Sequence, residues 1–381
     1  MTTQTTKPSA PKKADTQTRN RKLVLVFCAL LAFTASCLPA FLPAVFLAGC
    51  HKDDGPCVTC PPPGPDTTSH NFTWTIDTLG DGNSSSLYDV AIINDTLAYA
   101  VGEIYLKDST GQIDPQPYSV ARWNGKKWFL QKLFYNTNSI VSPIRGIWVA
   151  STNDIWLAAG SVFHWTGSGQ EAPLVFSRLL LPDPNATIEK LWGSSSSNLY
   201  GVGNAGTIVF YNGGTWQKLE SGTNTLINDA WGVVKSGSTQ VEVYCAVTDF
   251  FEPKDRKILK VNGIVVDSLE WHPQKDVYSV WTSDGATLYV GGDGLWTNGQ
   301  GSWQQINLGV SSAVTRIRGN ANNDIFVVGA FGLLAHFNAT SWKIFSGVTD
   351  ATLSGLCVKG NRMAAVGSQN GKPVVLMGMR N

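Results

Sequence analysis

Histidine is scarce in this chain: 381 residues hold five, His51, His70, His164, His272 and His336. Nucleophilic catalysis through an imidazole base has few positions to draw on, and two of the five fall in a Pro-rich stretch with no regular pattern. Charge is also low, with Asp, Glu, Lys and Arg together at 15%. Lys plus Arg is 29 against 28 for Asp plus Glu, but residues 1–49 hold six of the bases and one acid, which leaves 23 against 27 beyond them. A mildly acidic body without a basic stripe argues against nucleic acid as a partner, because proteins that bind phosphate backbones gather Lys and Arg on one face. P-loop and dinucleotide fingerprints are missing, since Gly201-Val202-Gly203 lies inside a hairpin pattern and does not open a helix. EF-hand spacing is missing too. Cys57-Val58-Thr59-Cys60 has no second Cys or His pair beside it. A zinc site needs four ligands, so a linker disulfide or further lipidation is the better reading, and neither a metal nor a cofactor is implied.

What the chain does hold is 38 glycines, 14 tryptophans and enough apolar material for a large core. It opens with a basic stretch ending Arg19-Asn20-Arg21-Lys22, and the next 27 residues, Leu23 to Gly49, carry no charge. Such a run could span a bilayer as a retained signal anchor, but Pro39 and Pro43 weaken a continuous helix. The run closes on Leu47-Ala48-Gly49-Cys50, which resembles the lipobox of bacterial lipoproteins. That resemblance implies a signal peptide over residues 1–49, cleavage before Cys50 and a lipid on its thiol. Cleaved or retained, the segment exports the body and leaves it attached to a membrane. In proteobacterial lipoprotein sorting an Asp after the cysteine signals inner-membrane retention, and here His51 stands there. The expectation is therefore the outer membrane of a Gram-negative bacterium. Residues 50–70, rich in Pro, Gly, Asp and Thr, read as a tether.

From residue 71 the chain repeats itself. Ile188 to Gly222 divides into four β-runs, Glu189 to Gly193, Asn198 to Val202, Thr207 to Tyr211 and Trp216 to Leu219, separated by Ser-rich or Gly-rich turns. The pattern recurs over Val277 to Gly309 and Val314 to Gly347, and more loosely from near Leu87, Ile144 and Ile227, with Asp108 to Gln116 and Glu252 to Lys257 as insertions. The last unit, from Leu353, has three runs and stops at Asn381, while the missing fourth run stands at the front as Asn71 to Gly82. An N-terminal strand that completes the last blade removes an open sheet edge. The fold expected over 71–381 is thus all-β, a closed seven-bladed β-propeller with four-stranded blades.

The phrase running from Gly203 through Thr207-Ile208 and Tyr211 to Trp216, with a weaker copy over Gly329 to Trp342, is similar to the repeats of the photosystem II stability/assembly factor family and of sialidase-type BNR propellers. The resemblance specifies a blade; by analogy of fold it implies a binding or assembly scaffold and no particular client. A sialidase would also need Asp boxes, and Ser283-Asp284-Gly285 lacks their spacing.

Trp148, Trp192, Trp231 and Trp281 recur in first runs, and Trp74, Trp128, Trp216, Trp303 and Trp342 in or before last runs. Fixed positions are what packing requires, with sugar stacking the other reading; Trp271, outside the repeat, is the better candidate for an exposed contact. His164 and His336 align with Tyr211 and read as packing residues, and Cys245 and Cys357 as core. First strands of propeller blades line the central channel. The position two before the recurrent Trp therefore forms a ring: Asp89, Gly146, Lys190, Asp229, Ser279, Arg316 and Gly355. Its mixed charge makes Asp89, Lys190, Asp229, Ser279 and Arg316 the candidate ligand-binding set, with a solvated, salt-bridged channel as the alternative. Asp89 and Asp229 fall on blades that are not neighbours, which argues against a catalytic carboxylate pair. The functional expectation is a non-catalytic envelope lipoprotein that binds a protein or glycan, and the alternative is a sialidase-like or lyase-like envelope enzyme.

Overall fold

A computed structural model describes residues 67–81, 84–249 and 255–381. The apolar segment, Cys50, His51, the Cys57/Cys60 pair and the first half of the 252–257 insertion lie outside the described residues. The rest is a seven-bladed β-propeller: seven four-stranded antiparallel sheets, six of them built from strands consecutive in the chain. The first strands of blades 1 to 7 are Ser86–Asn94, Gly146–Ser151, Lys190–Ser195, Ile227–Val234, Val277–Trp281, Val314–Ala321 and Thr352–Lys359. Each touches the first strand of the next blade, and that of blade 7 touches that of blade 1, so the ring closes. Blade 7 ends on the N-terminal strand: Phe72–Thr78 pairs antiparallel with Lys372–Arg380, Phe72 opposite Arg380 and Thr78 opposite Val374. A small hairpin that the repeat did not reveal, Phe134–Asn136 with Ser139–Ile140, lies between blades 1 and 2.

The cores lie between blades. Each of seven apolar clusters draws its residues from two adjacent sheets, as Val243 and Val261 of blade 4 pack with Tyr200 and Ile208 of blade 3. Second strands such as Val241–Val247 and Asp324–Gly329 are buried along their whole length, because both of their faces meet a neighbouring blade.

The recurrent first-strand tryptophans join blade to blade. The ring of Trp192 rests on Gly232 of the next blade, where a Cβ would lie 2.6 Å from its atoms. Trp148 sits likewise against Gly193, and Trp281 against Gly319. Trp231 meets Thr282, donating its indole N–H to the Thr282 carbonyl at 2.9 Å. Each such ring buries about 150–250 Å², a gross gain of about 4–6 kcal/mol.

Two expectations need correction. Trp271 is buried, not exposed: its ring packs edge-on between Trp296 and Trp303, and its N–H donates to the Lys275 carbonyl at 2.9 Å. The loop that looked like an excursion from the repeat folds back to cover the outer edge of blade 5. His164 and His336 stand opposite Trp156 and Phe326, where blade 3 has Phe210 opposite Tyr200, one position before Tyr211. Their packing role stands: His336 is fully buried and bonds to Asp324 at 2.9 Å, and His164 bonds to Asp154 at 2.9 Å.

Candidate functional site

Every first strand starts at the same end of the channel, and there the chain makes a β-bulge. In blades 1, 4, 5, 6 and 7 the second strand skips one residue of the first, namely Tyr88, Asn228, Tyr278, Thr315 and Ser354. In blades 2 and 3, Arg145 and Glu189 donate their N–H groups at 2.8 Å to Ala158 and Val202, the residues that Gly146 and Lys190 already face. An extra residue in one strand re-aims its side chain. The seven bulged residues therefore form a ring of their own, one position ahead of the ring read from the sequence.

This earlier ring lines a cavity of about 530 Å³ at the channel mouth, with Lys190 and Arg316 also on its wall and Asn204, Leu226 and Ile227 completing it. Asp89, Asp229 and Ser279 do not line it. They lie beneath, in a network that closes the channel. Lys190, of blade 3, reaches past Gly146 to blade 1: its Nζ lies 3.2 Å from Asp89 Oδ2 and donates to the carbonyls of Tyr88 at 3.1 Å and Arg145 at 2.7 Å. Arg316, of blade 6, reaches past Ser279 to blade 4, with Nη1 2.5 Å from Asp229 Oδ1. Small residues at the intervening positions let long side chains cross. At Gly146 a Cβ would meet the Glu189 carbonyl at 2.7 Å, and at Gly355 the Asp89 Cα at 2.7 Å.

Asp229 is wholly buried and fully engaged. Beyond Arg316 it accepts from Ser279 Oγ at 2.6 Å, from the Val280 N–H at 3.3 Å and from both Arg318 Nη atoms at 2.7 and 3.0 Å. Burial alone would raise its carboxyl, but Arg316 and Arg318 outweigh burial and hold it at about 2. Lys190 goes the other way: burial pulls it down to about 8 against the attraction of Asp89. Asp89 and Asp229, on blades 1 and 4, are not neighbours along the ring, yet both act on Lys190 and Arg318 across the axis. The channel is salt-bridged as the alternative reading held, with Asp229 and Ser279 fully buried and Asp89, Lys190, Arg316 and Arg318 largely so.

Arg318 was missed by sequence reasoning. It fills the slot that holds Trp192 and Trp231 in other blades and lays its guanidinium 4.7 Å from the Trp231 ring centre. A charge in a slot that four blades give to tryptophan and the other two to Ala91 and Cys357 was a sign of a buried acid within reach.

In the cavity itself most polar groups are bound to the scaffold. Asn228 Nδ2 donates to the Thr248 carbonyl at 2.7 Å, Ser354 Oγ to the Leu87 carbonyl at 3.0 Å, and Thr315 Oγ1 to the Val328 carbonyl at 3.1 Å. The phenols of Tyr88 and Tyr278 donate to Glu103 at 2.9 Å and Asp276 at 3.0 Å, and burial together with these carboxylates raises both. Arg145 covers the Tyr88 ring at 4.6 Å and pairs with Glu189 at 3.2 Å. Arg316 gives Nε to the Ser354 carbonyl at 3.1 Å and sets Nη1 in ion-pair contact with Asp229. Three cations (Arg145, Lys190 and Arg316) thus line the cavity against one acid, Glu189. No group of three His, Cys, Asp or Glu side chains is placed to hold a metal ion among the described residues.

No protein-family model matches the sequence, and no curated protein matches it. Solved structures match in shape. YCF48 bound to a D1 peptide is 13% identical, with a TM-score of 0.60 over 81% of this chain and 97% of that one. The WD40 β-propeller domain of Doa1 is 12% identical, with a TM-score of 0.58 over 81% and 97%. YCF48 from Cyanidioschyzon merolae is 12% identical, with a TM-score of 0.55 over 80% and 98%. At such identities the likeness is one of fold, and the fold shared with these structures is the β-propeller.

Proposed function

We propose that this protein is a non-catalytic lipoprotein of the cell envelope, anchored through Cys50 in the outer membrane of a Gram-negative bacterium, whose channel mouth binds a carboxylate-bearing segment of a protein partner. The observation that carries the binding reading is the cavity: it sits over a layer of paired charges, and its wall holds Arg145, Lys190 and Arg316 against Glu189 alone. A carboxylate entering it would meet preorganised cations whose desolvation was met during folding. A protein partner is favoured over a glycan because two aromatic faces that could stack on sugars are occupied, Tyr88 by Arg145 and Trp271 by its neighbours. The likeness to a propeller solved with a bound peptide points the same way. The non-catalytic reading is supported by the lone acid of the cavity wall, Glu189, which is paired to Arg145, where a glycosidase needs two free carboxyl groups.

The test is a photo-crosslinking residue placed at Thr315 in cells. Protein adducts that vanish when Arg145→Glu is added are expected. Adducts to glycan only, or protein adducts indifferent to Arg145→Glu, would sink the binding reading. Intact mass of the membrane-extracted protein tests the anchor: a chain beginning at lipid-modified Cys50 is expected, and an unmodified chain that keeps residues 1–49 overturns it.

A further inference from the structure

The two ends of the propeller differ, and the chain joins it at the end away from the cavity. Strand Phe72–Thr78 starts opposite Arg380, at the end where the third strand of blade 7 stops and where the other blades turn from third to fourth strand. Just before it, Thr68 donates to the carbonyl of Asn323, in the first hairpin of blade 6, at 2.6 Å, and His70 Nδ1 lies 2.8 Å from His336 Nδ1. The N-terminal segment therefore arrives on the hairpin end, while the cavity opens at the other.

That hairpin end is basic where the segment arrives. Lys126 and Lys127 project from the last hairpin of blade 1, Lys359 and Arg362 flank the first hairpin of blade 7, and Lys343 is exposed on the last strand of blade 6. These hairpins are contiguous: Gly125 packs on Thr96, Arg362 bonds to Asp95 at 2.9 Å, and one groove runs from Asp95 and Thr96 to Lys359 and the half-exposed Met379. Asp95 is the one exposed acid among these residues. The cavity end of the same blades carries both signs, with Asp81, Asp108 and Asp350 beside Lys107 and Lys372.

We infer that the hairpin end of blades 6, 7 and 1 lies against an anionic phospholipid surface, so that the cavity points away from the membrane. This rests on the membrane-attached reading above. Charge complementarity supports the occupant, since each Lys or Arg held near an anionic bilayer strengthens the contact about fivefold. A tether arriving on the same end allows those side chains to come within the roughly 8–10 Å to which screening confines the attraction. The orientation leaves the cavity open to a protein in the aqueous phase.

The experiment uses the full chain, processed in cells and reconstituted into vesicles of phosphatidylethanolamine with or without phosphatidylglycerol, in a Cys57→Ser, Cys60→Ser background. A fluorophore is placed on Asn361→Cys at the hairpin end or on Leu180→Cys at the cavity end, and quenching by headgroup spin-labelled lipid is read. Quenching at position 361 and not at 180, only with phosphatidylglycerol present, is the expected result. Lys126→Glu, Lys127→Glu and Lys359→Glu together should weaken the contact on the order of a hundredfold and abolish the difference. Equal quenching at both positions, or a difference unmoved by the three reversals, overturns the inference. Intact mass of the same sample reports on the anchor separately: a chain without lipid on Cys50 sinks that reading, while the face assignment still stands or falls on the quenching.

Discussion

Asn228 and Asp229 are neighbours in the chain, yet Asn228 lines an open cavity while Asp229 is wholly buried and holds two arginines. The same division holds in the other blades. The earlier residue is aimed into the cavity by a bulge, and the next one closes the channel or lets a neighbour's side chain cross it. A propeller of this size can thus carry a binding surface on a floor that contributes rigidity and no ligand contact except through Lys190 and Arg316. The two rings should respond oppositely to mutation: the buried one in stability, the bulged one in binding.

The largest separation is expected at Asp229→Ala, which strands Arg316 and Arg318 without a buried counter-charge. Removal of one partner from such a network costs about 3–5 kcal/mol, measurable as a lower urea midpoint at unchanged slope. A loss well under 1 kcal/mol would mean that water reaches the ring and that the two rings are alike. Next comes Gly355→Ala, whose Cβ would sit 2.7 Å from the Asp89 backbone. Overpacking of this kind costs about 1–3 kcal/mol, and thermal denaturation of the variant checks it.

A pH titration of the melting temperature sharpens the comparison further. The folded Asp229 carboxyl is held at about 2 against an ordinary 3.8, so the unfolded chain takes up the proton first, and the stability it contributes is complete above 3.8 and lost as pH falls toward 2. His70 is lowered from 6.5 by burial and by His336, Lys343 and Arg380, so its contribution is complete above 6.5 and declines as pH drops below that value. Two declines are expected, the shallower one first. Asp229→Asn should lessen the acid one, to which Asp154, Glu242 and Asp324, also lowered, contribute, and His70→Gln should remove the other; a titration flat down to pH 4 would contradict the His70 assignment. The smallest effect on stability is expected in the bulged ring. Arg145→Ala should shift unfolding by no more than about 0.5 kcal/mol while abolishing crosslinks from Thr315. A large loss of stability there would make Arg145 part of the floor.

Much of the fold was legible because a blade is a local object. The run Asn198 to Val202 and the run Trp216 to Leu219 coincide with strands of the structure, and the ring closure by the first strand followed from a seventh unit one strand short. The first-strand tryptophans were recognisable as packing residues for the same reason. The candidate site was legible only in part. Asp89, Lys190, Asp229, Ser279 and Arg316 were picked out as inward-facing, and the structure brings them to the channel axis. The cavity-lining residues one step earlier were not visible, because strict alternation along a strand places them on the opposite face and only the bulge, a matter of pairing between strands, turns them inward.

Trp271 marks the same boundary: its neighbours in sequence suggested an exposed loop, and its neighbours in space are Trp296 and Trp303. The sequence alone therefore determined the blade, the number of blades, the closure and the chemical types near the axis, since these depend on periodicity and turn residues within short segments. The tertiary structure alone decided which charges pair, that pairs cross between blades that are not adjacent, and that the chain joins the end opposite the cavity. Those outcomes depend on side chains from all around the ring meeting on one narrow axis, where burial makes every charge find a partner.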